Sequence, residues 1–237
     1  MLGIGASNFL GELGGANQIG TNGVKDFEFS LTRPTFEIGY GYMINPYFKV
    51  RVNGIYGRLK GDDALTKEIY RQNRNLHFRS PVVELGAALE WYPFREKIAH
   101  LYRLRGTNGK KTKLLSPYLF GGIAGFWFSP HAQSPTTGKW VALKPLSTEG
   151  QGLPGGPKEY KTISVCIPMG IGLKYAMNKN WSIGFEMAGR MTFTDYIDDV
   201  SGVYYNNIDI QNSKGTDAAL LANPTINSIP PIVDGSI

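Results

Sequence analysis

The hydrophobic pattern is sharpest in WSIGFEMAGRMTF, from Trp181 to Phe193. Alternate residues Trp181, Ile183, Phe185, Met187, Gly189, Met191 and Phe193 are apolar or small. Those between them, Ser182, Gly184, Glu186, Ala188, Arg190 and Thr192, are small, polar or charged. A period of two predicts a strand, because successive side chains point to opposite faces of a sheet. The same alternation recurs from Phe36 to Met43, from Phe48 to Asn53, from Val83 to Trp91 and from Ile163 to Tyr175. Leu2 to Asn8 is a further short strand. Tyr118 to Phe128, YLFGGIAGFWF, is apolar or small on both faces, so its orientation is weakly set. After Thr194 the chain turns polar and predicts no strand.

The connectors are of two kinds. Asn45-Pro46 and Asn178 to Asn180 are tight turns. The connections after the first, third, fifth and seventh strands are long, among them Gly61 to Arg74 and the Pro/Gly-rich Ser129 to Tyr160. Short turns at one end and long loops at the other are the pattern of outer-membrane barrels. The exception is residues 94–115, a basic insertion on the short-turn side. Residues 1–193 thus read as one barrel with long outer loops, and 194–237 as a polar tail leading toward a closing strand.

Composition narrows this reading. The chain has 237 residues and no run of about 18 apolar ones, which excludes a transmembrane helix. A barrel needs no such run, since only alternate residues face lipid. The lone Cys166 excludes an intramolecular disulfide, and the net charge of +6 is concentrated in the basic insertion. Met1 to Gly15 lacks the basic and apolar regions of a signal peptide, so export implies a signal already removed.

The charged faces carry Glu37, Lys49, Arg51, Glu84, Glu90, Lys174, Glu186 and Arg190. Acids and bases together predict a lumen filled by paired charges rather than an open pore. The apolar faces carry Tyr42, Phe48, Trp91, Tyr118, Tyr175, Trp181 and Phe193 near strand ends, as an interfacial aromatic girdle would. The competing architecture is a soluble antiparallel sheet with one wet face.

Candidate chemistry is sparse. His77 with Asp62, Asp63 and Ser80 has the residue types of a hydrolase triad, without a nucleophile-elbow motif. Asp195, Asp198 and Asp199, with Asp62 and Asp63, are oxygen donors of the kind calcium takes, in a spacing unlike an EF-hand. We expect no catalytic residue, metal or cofactor. Arg95, Lys97, Arg103, Arg105, Lys110, Lys111 and Lys113 form the basic run. Lacking aromatic platforms, it predicts a protein partner or anionic headgroups rather than nucleic acid.

Several segments resemble a known family. They are GASNFLGELGG (Gly5 to Gly15), INPYFKVRVNGIYGRLKGDDA (Ile44 to Ala64), RQNRNLHFR (Arg71 to Arg79), ELGAALEWYPF (Glu84 to Phe94) and TDYIDDVSGVY (Thr194 to Tyr204). They are similar to the PorG family, small outer-membrane β-barrels of the type IX secretion and gliding machinery. The resemblance implies an integral outer-membrane protein without enzymatic activity. It also implies partners, a PorK-type ring lipoprotein and a PorN-type periplasmic ring protein, with outer-membrane lipid around the barrel. The basic insertion is where such a ring would dock. The expected fold is an all-β, antiparallel transmembrane barrel of eight strands, the last absent from this sequence, since IPPIVDGSI does not end as a closing strand. An adhesin, a passive pore and a loop-based lipid or peptide hydrolase are the alternative functions.

Overall fold

The computed structural model describes residues 1–9, 31–65, 69–94, 115–177, 180–202 and 204–225. The fold is all-β and antiparallel. In chain order the strands are β1 (Leu2–Ser7), β2 (Arg33–Asn45), β3 (Phe48–Asp62), β4 (His77–Trp91), β5 (Leu115–Phe128), β6 (His131–Gln133), β7 (Trp140–Ala142), β8 (Ile163–Ala176) and β9 (Ser182–Thr192). Three short helices, α1 (Ile69–Arg74), α2 (Asn207–Lys214) and α3 (Thr216–Ala222), lie between or after them. None is long and apolar enough to cross a membrane, which says nothing about crossing by strands. The main sheet runs β1-β2-β3-β4-β5-β8-β9, with β6 added to β4 and β7 to β6.

The sheet curls into a half-barrel. Strands four places apart in a flat sheet lie about 19 Å apart at ordinary strand spacing. Yet Arg51 of β3 ion-pairs with Glu186 of β9, four places away, and Glu84 of β4 with Arg190 of β9, three places away. Side chains bridge those distances only if the sheet bends around them. Successive main strands reverse direction, so the edge strands β1 and β9 run the same way. Each has one hydrogen-bonded neighbour among the described residues. Closing such a sheet antiparallel requires an odd number of strands between its edges. One strand, the eighth, meets that condition.

The polarity of the sheet is inverted relative to a soluble core. Arg51, Glu84 and Glu90 on the concave face are buried, while Ile38, Leu85, Ile123 and Phe185 on the convex face are more than 60% exposed. Tyr118 departs from the sequence reading. Its ring is 6% exposed on the concave face, not in an outer girdle. In YLFGGIAGFWF both faces are apolar, and the decision falls to the neighbouring strand. A Cβ on Gly172 would lie 2.2 Å from the Tyr118 ring, and one on Gly170 would lie 2.8 Å from Phe120. The glycines of β8 leave the space that the aromatics of β5 fill.

Two expected loops are partly regular. β3 continues through Gly61 and Asp62, and β4 begins at His77, because their register holds to the pair Asp62–His77. Pro81 is tolerated in β4 because β5 pairs with that strand only from Val82 onward. The expected polar tail is also more ordered than its composition implies. Asn206 caps α2 by accepting from the Ile208 N–H at 3.0 Å, and Gly215, at φ 95°, turns the chain into α3. Ile210 packs there with Ala218, Ala219 and Ala222. With the 129–162 segment these helices form a cap over the long-loop end. Its core contains Phe78, Ala132, Leu143 and Leu221, and next to it Phe126, Phe128, Tyr160 and Ile197.

Candidate functional site

Strand alternation delivers the charged residues to one surface. On β3, Lys49 and Arg51 share a face, and on β4 so do Glu84 and Glu90. Lys49 Nζ lies 3.0 Å from Glu90, and Arg51 Nη1 lies 3.3 Å from the other oxygen of the same carboxylate. Arg51 also forks onto Glu186, with a second bond of 3.1 Å from Nη2. Two tyrosines complete this network. Tyr92 donates to Glu90 at 2.7 Å and Tyr118 donates to Glu186. The Arg51 guanidinium lies 4.9 Å from the centre of the Phe120 ring.

A second group sits nearer the cap. Arg190 holds Glu84 through Nε at 2.6 Å and Nη2 at 3.2 Å, and the buried Cys166 thiol faces the same carboxylate at 3.8 Å. Glu37 accepts from Asn53 at 3.0 Å. Lys174 is half-buried on the concave side near the turns. The structure therefore joins Lys49, Arg51, Glu90 and Glu186 in one network and Glu84 with Arg190 in another. Tyr92, Tyr118 and Asn53 are members that sequence reading missed. Tyr92 follows the last alternating residue of β4, and Tyr118 lies in a strand apolar on both faces. The basic residues Arg95, Lys97, Arg103, Arg105, Lys110, Lys111 and Lys113 lie outside the described residues.

The suspected triad does not assemble. His77 Nε2 accepts from the Gln133 backbone N–H at 3.0 Å, and its ring stands edge-on to Trp140. Asp63 is held by Arg74 at 2.8 Å and by the Leu76 N–H at 3.3 Å. Ser80 Oγ accepts from the Ser129 N–H at 3.1 Å. Each group is committed to holding a loop. Nor do the outer carboxylates converge, for no cluster of three metal-ligating side chains occurs among the described residues.

Asp199 instead ties the cap together. It is 3% exposed and accepts from Thr148 at 2.6 Å and from the Tyr160 hydroxyl. Tyr160 is stacked on Tyr196, with ring centres 4.6 Å apart. Burial pushes the Asp199 carboxyl up to about 7, against the two hydrogen bonds that lower it. Burial and the neighbouring Asp199 likewise raise the Tyr160 phenol above its usual range. A cavity of about 50 Å³ beside them is lined by Arg74, His77, Glu149, Asp198, Asp199 and Tyr204 among others. That volume suits one or a few waters rather than a substrate.

The arrangement is a sheet stiffened by internal ion pairs and closed at one end by a folded cap. No curated protein and no solved structure matches the chain. The pattern of one family, described as a domain of unknown function (DUF6089), matches residues 2–139 and 155–221, and the chain belongs to that family.

Proposed function

We propose that the chain is an integral outer-membrane β-barrel, a non-enzymatic component of the type IX secretion and gliding machinery, and that it anchors the PorK- and PorN-type periplasmic ring to that membrane. The observation carrying the membrane reading is the convex surface. Large apolar side chains stand exposed on all the main strands from β1 to β9, backed by a buried charge network. On β4 the outward row from Val83 to Trp91 runs about 27 Å along the strand, or about 20 Å in height at the usual tilt. Barrels present an apolar band about 25 Å tall. Leaving so much apolar surface in water would be an aggregation hazard, whereas lipid is its natural solvent.

The segments that resemble the PorG family are the basis for assigning it to a secretion machine. The long basic insertion at 94–115, on the end opposite the cap, is where the ring would dock. The filled interior argues against a passive pore, and planar-bilayer conductance is expected to be absent. The test is to isolate outer membranes and capture the chain in detergent. Heat-modifiable migration and co-capture of the ring proteins are expected. Deleting residues 95–113 should leave the barrel inserted and reduce ring capture at least several-fold. Undiminished capture would overturn the docking role, and recovery of the intact chain from the aqueous fraction would overturn the membrane reading.

A further inference from the structure

The convex face of β3, β4 and β5 is graded along the strands. Nearest the middle, Leu85, Gly125 and Val165 lie in one cross-strand row. Together with Val52, Ala87 and Ile123 they form a shallow, open apolar groove. Gly125 leaves the groove open, since a Cβ there would meet nothing within 4 Å. Two residues nearer the cap, about 7 Å along the strands, comes the row Tyr56, Val83 and Trp127. Beyond it the outward positions turn basic: Arg58 opposite Pro81, then Lys60 opposite Arg79.

These cations are unequally compensated. Lys60 is paired with Asp62 at 3.1 Å. Arg58 and Arg79 are exposed, and among the described residues neither is paired with a carboxylate. They are diagonal neighbours across β3 and β4, with backbones about 7–8 Å apart. The Arg79 guanidinium lies flat against Trp140, 3.9 Å from the ring centre, which holds its donors in place. Two exposed guanidinium groups on neighbouring strands can share one anion. Phosphate fits, because guanidinium groups bind its oxygens through paired hydrogen bonds.

We propose that this face binds one phosphate-bearing membrane lipid, its headgroup on Arg58 and Arg79 and an acyl chain in the groove beside Gly125. The site rests on the membrane reading above. Headgroup, aromatic row and groove follow one another in the order of a lipid's own parts. A tryptophan at the headgroup level is what a membrane interface selects.

The full chain in phosphatidylcholine bilayers doped with spin-labelled phosphatidic acid tests this. The native protein should hold phosphatidic acid in preference to phosphatidylcholine. Arg58→Ala and Arg79→Ala should each lower that preference roughly five-fold, the effect of losing one basic residue at a membrane surface. Gly125→Leu, whose Cβ would meet nothing within 4 Å and whose longer side chain would fill the groove, should lower it too. Lys214→Ala, on α2, should leave it unchanged. An inserted native protein with no preference overturns the site, as does an equal loss with Lys214→Ala. Failure to insert into either bilayer, read by heat-modifiable migration, overturns the membrane reading and the site with it.

Discussion

The half-barrel and its cap obey opposite rules. In the half-barrel Arg51, Glu84 and Glu90 are inside while Leu85 and Phe185 are outside. In the cap Phe78, Phe128 and Ile210 have no exposed surface at all. The cap clusters its apolar side chains inside and buries polar ones such as Asp199 and Thr148 only where they bond to one another. The half-barrel is held inside by directional bonds between charges and by the small aromatic cluster of Tyr92, Tyr118 and Phe120, while the apolar side chains of its convex face contribute nothing to internal packing. The two regions thus follow opposite burial patterns, and the change between them runs near the row Tyr56, Val83 and Trp127 on the convex face.

That contrast can be broken most severely from the inside. Arg51→Ala leaves Glu186 and part of Glu90 without their cation. It should destabilise the barrel by about 3–5 kcal/mol, the usual cost of orphaning a buried charge. Arg51→Met combined with Glu186→Gln should cost clearly less, because no charge is left unpaired while Lys49 and Tyr92 still hold Glu90. Urea unfolding of the protein in lipid measures both, and equal losses would show that the ion pair is incidental. The same experiment on the convex face sharpens the comparison. On the proposed membrane reading, Leu85→Arg should weaken insertion into bilayers by about 2–4 kcal/mol, since a cation would then face lipid. A soluble sheet would tolerate the change, Leu85 being 67% exposed.

The most local effect belongs to the cap. The Asp199 carboxyl has an ordinary value of 3.8 and is raised to about 7 in the folded protein. The fold therefore favours its protonated form. The resulting stabilisation is complete below the ordinary value and declines as pH rises towards about 7. Protease resistance of the 129–162 segment should fall across that window, while the barrel's migration stays constant. Asp199→Asn should flatten the dependence, and an unchanged slope in that variant would assign it to another group.

Strand identity was legible wherever one face was apolar and the other was not, as in Phe36 to Met43 and Trp181 to Phe193. It was ambiguous in Tyr118 to Phe128, where both faces are apolar. There the glycines of β8, contributed from more than 40 residues away, decided that Tyr118 turns inward. The cap helices left little trace. NIDIQNSK has one buried residue, Ile210, and gains its stability from packing on α3 rather than from a periodic apolar stripe. Asp199 looked like any loop acid, since nothing near it in the sequence foretells Thr148 or Tyr160.

By itself the sequence determined that the chain is built from alternating strands, which residues share each face, and that one face is charged and the other apolar. Period and polarity are properties of neighbours in the chain, so they can be read there. The charged face was read from the sequence as the inner one, whereas only the tertiary structure decided how the sheet curls and which acid meets which base. Arg51 and Glu186 are 135 residues apart, and the curl of the sheet is what brings them together. Curvature, cross-strand space and a folded cap depend on which strands lie side by side, and that is a property of the whole molecule rather than of any one stretch of it.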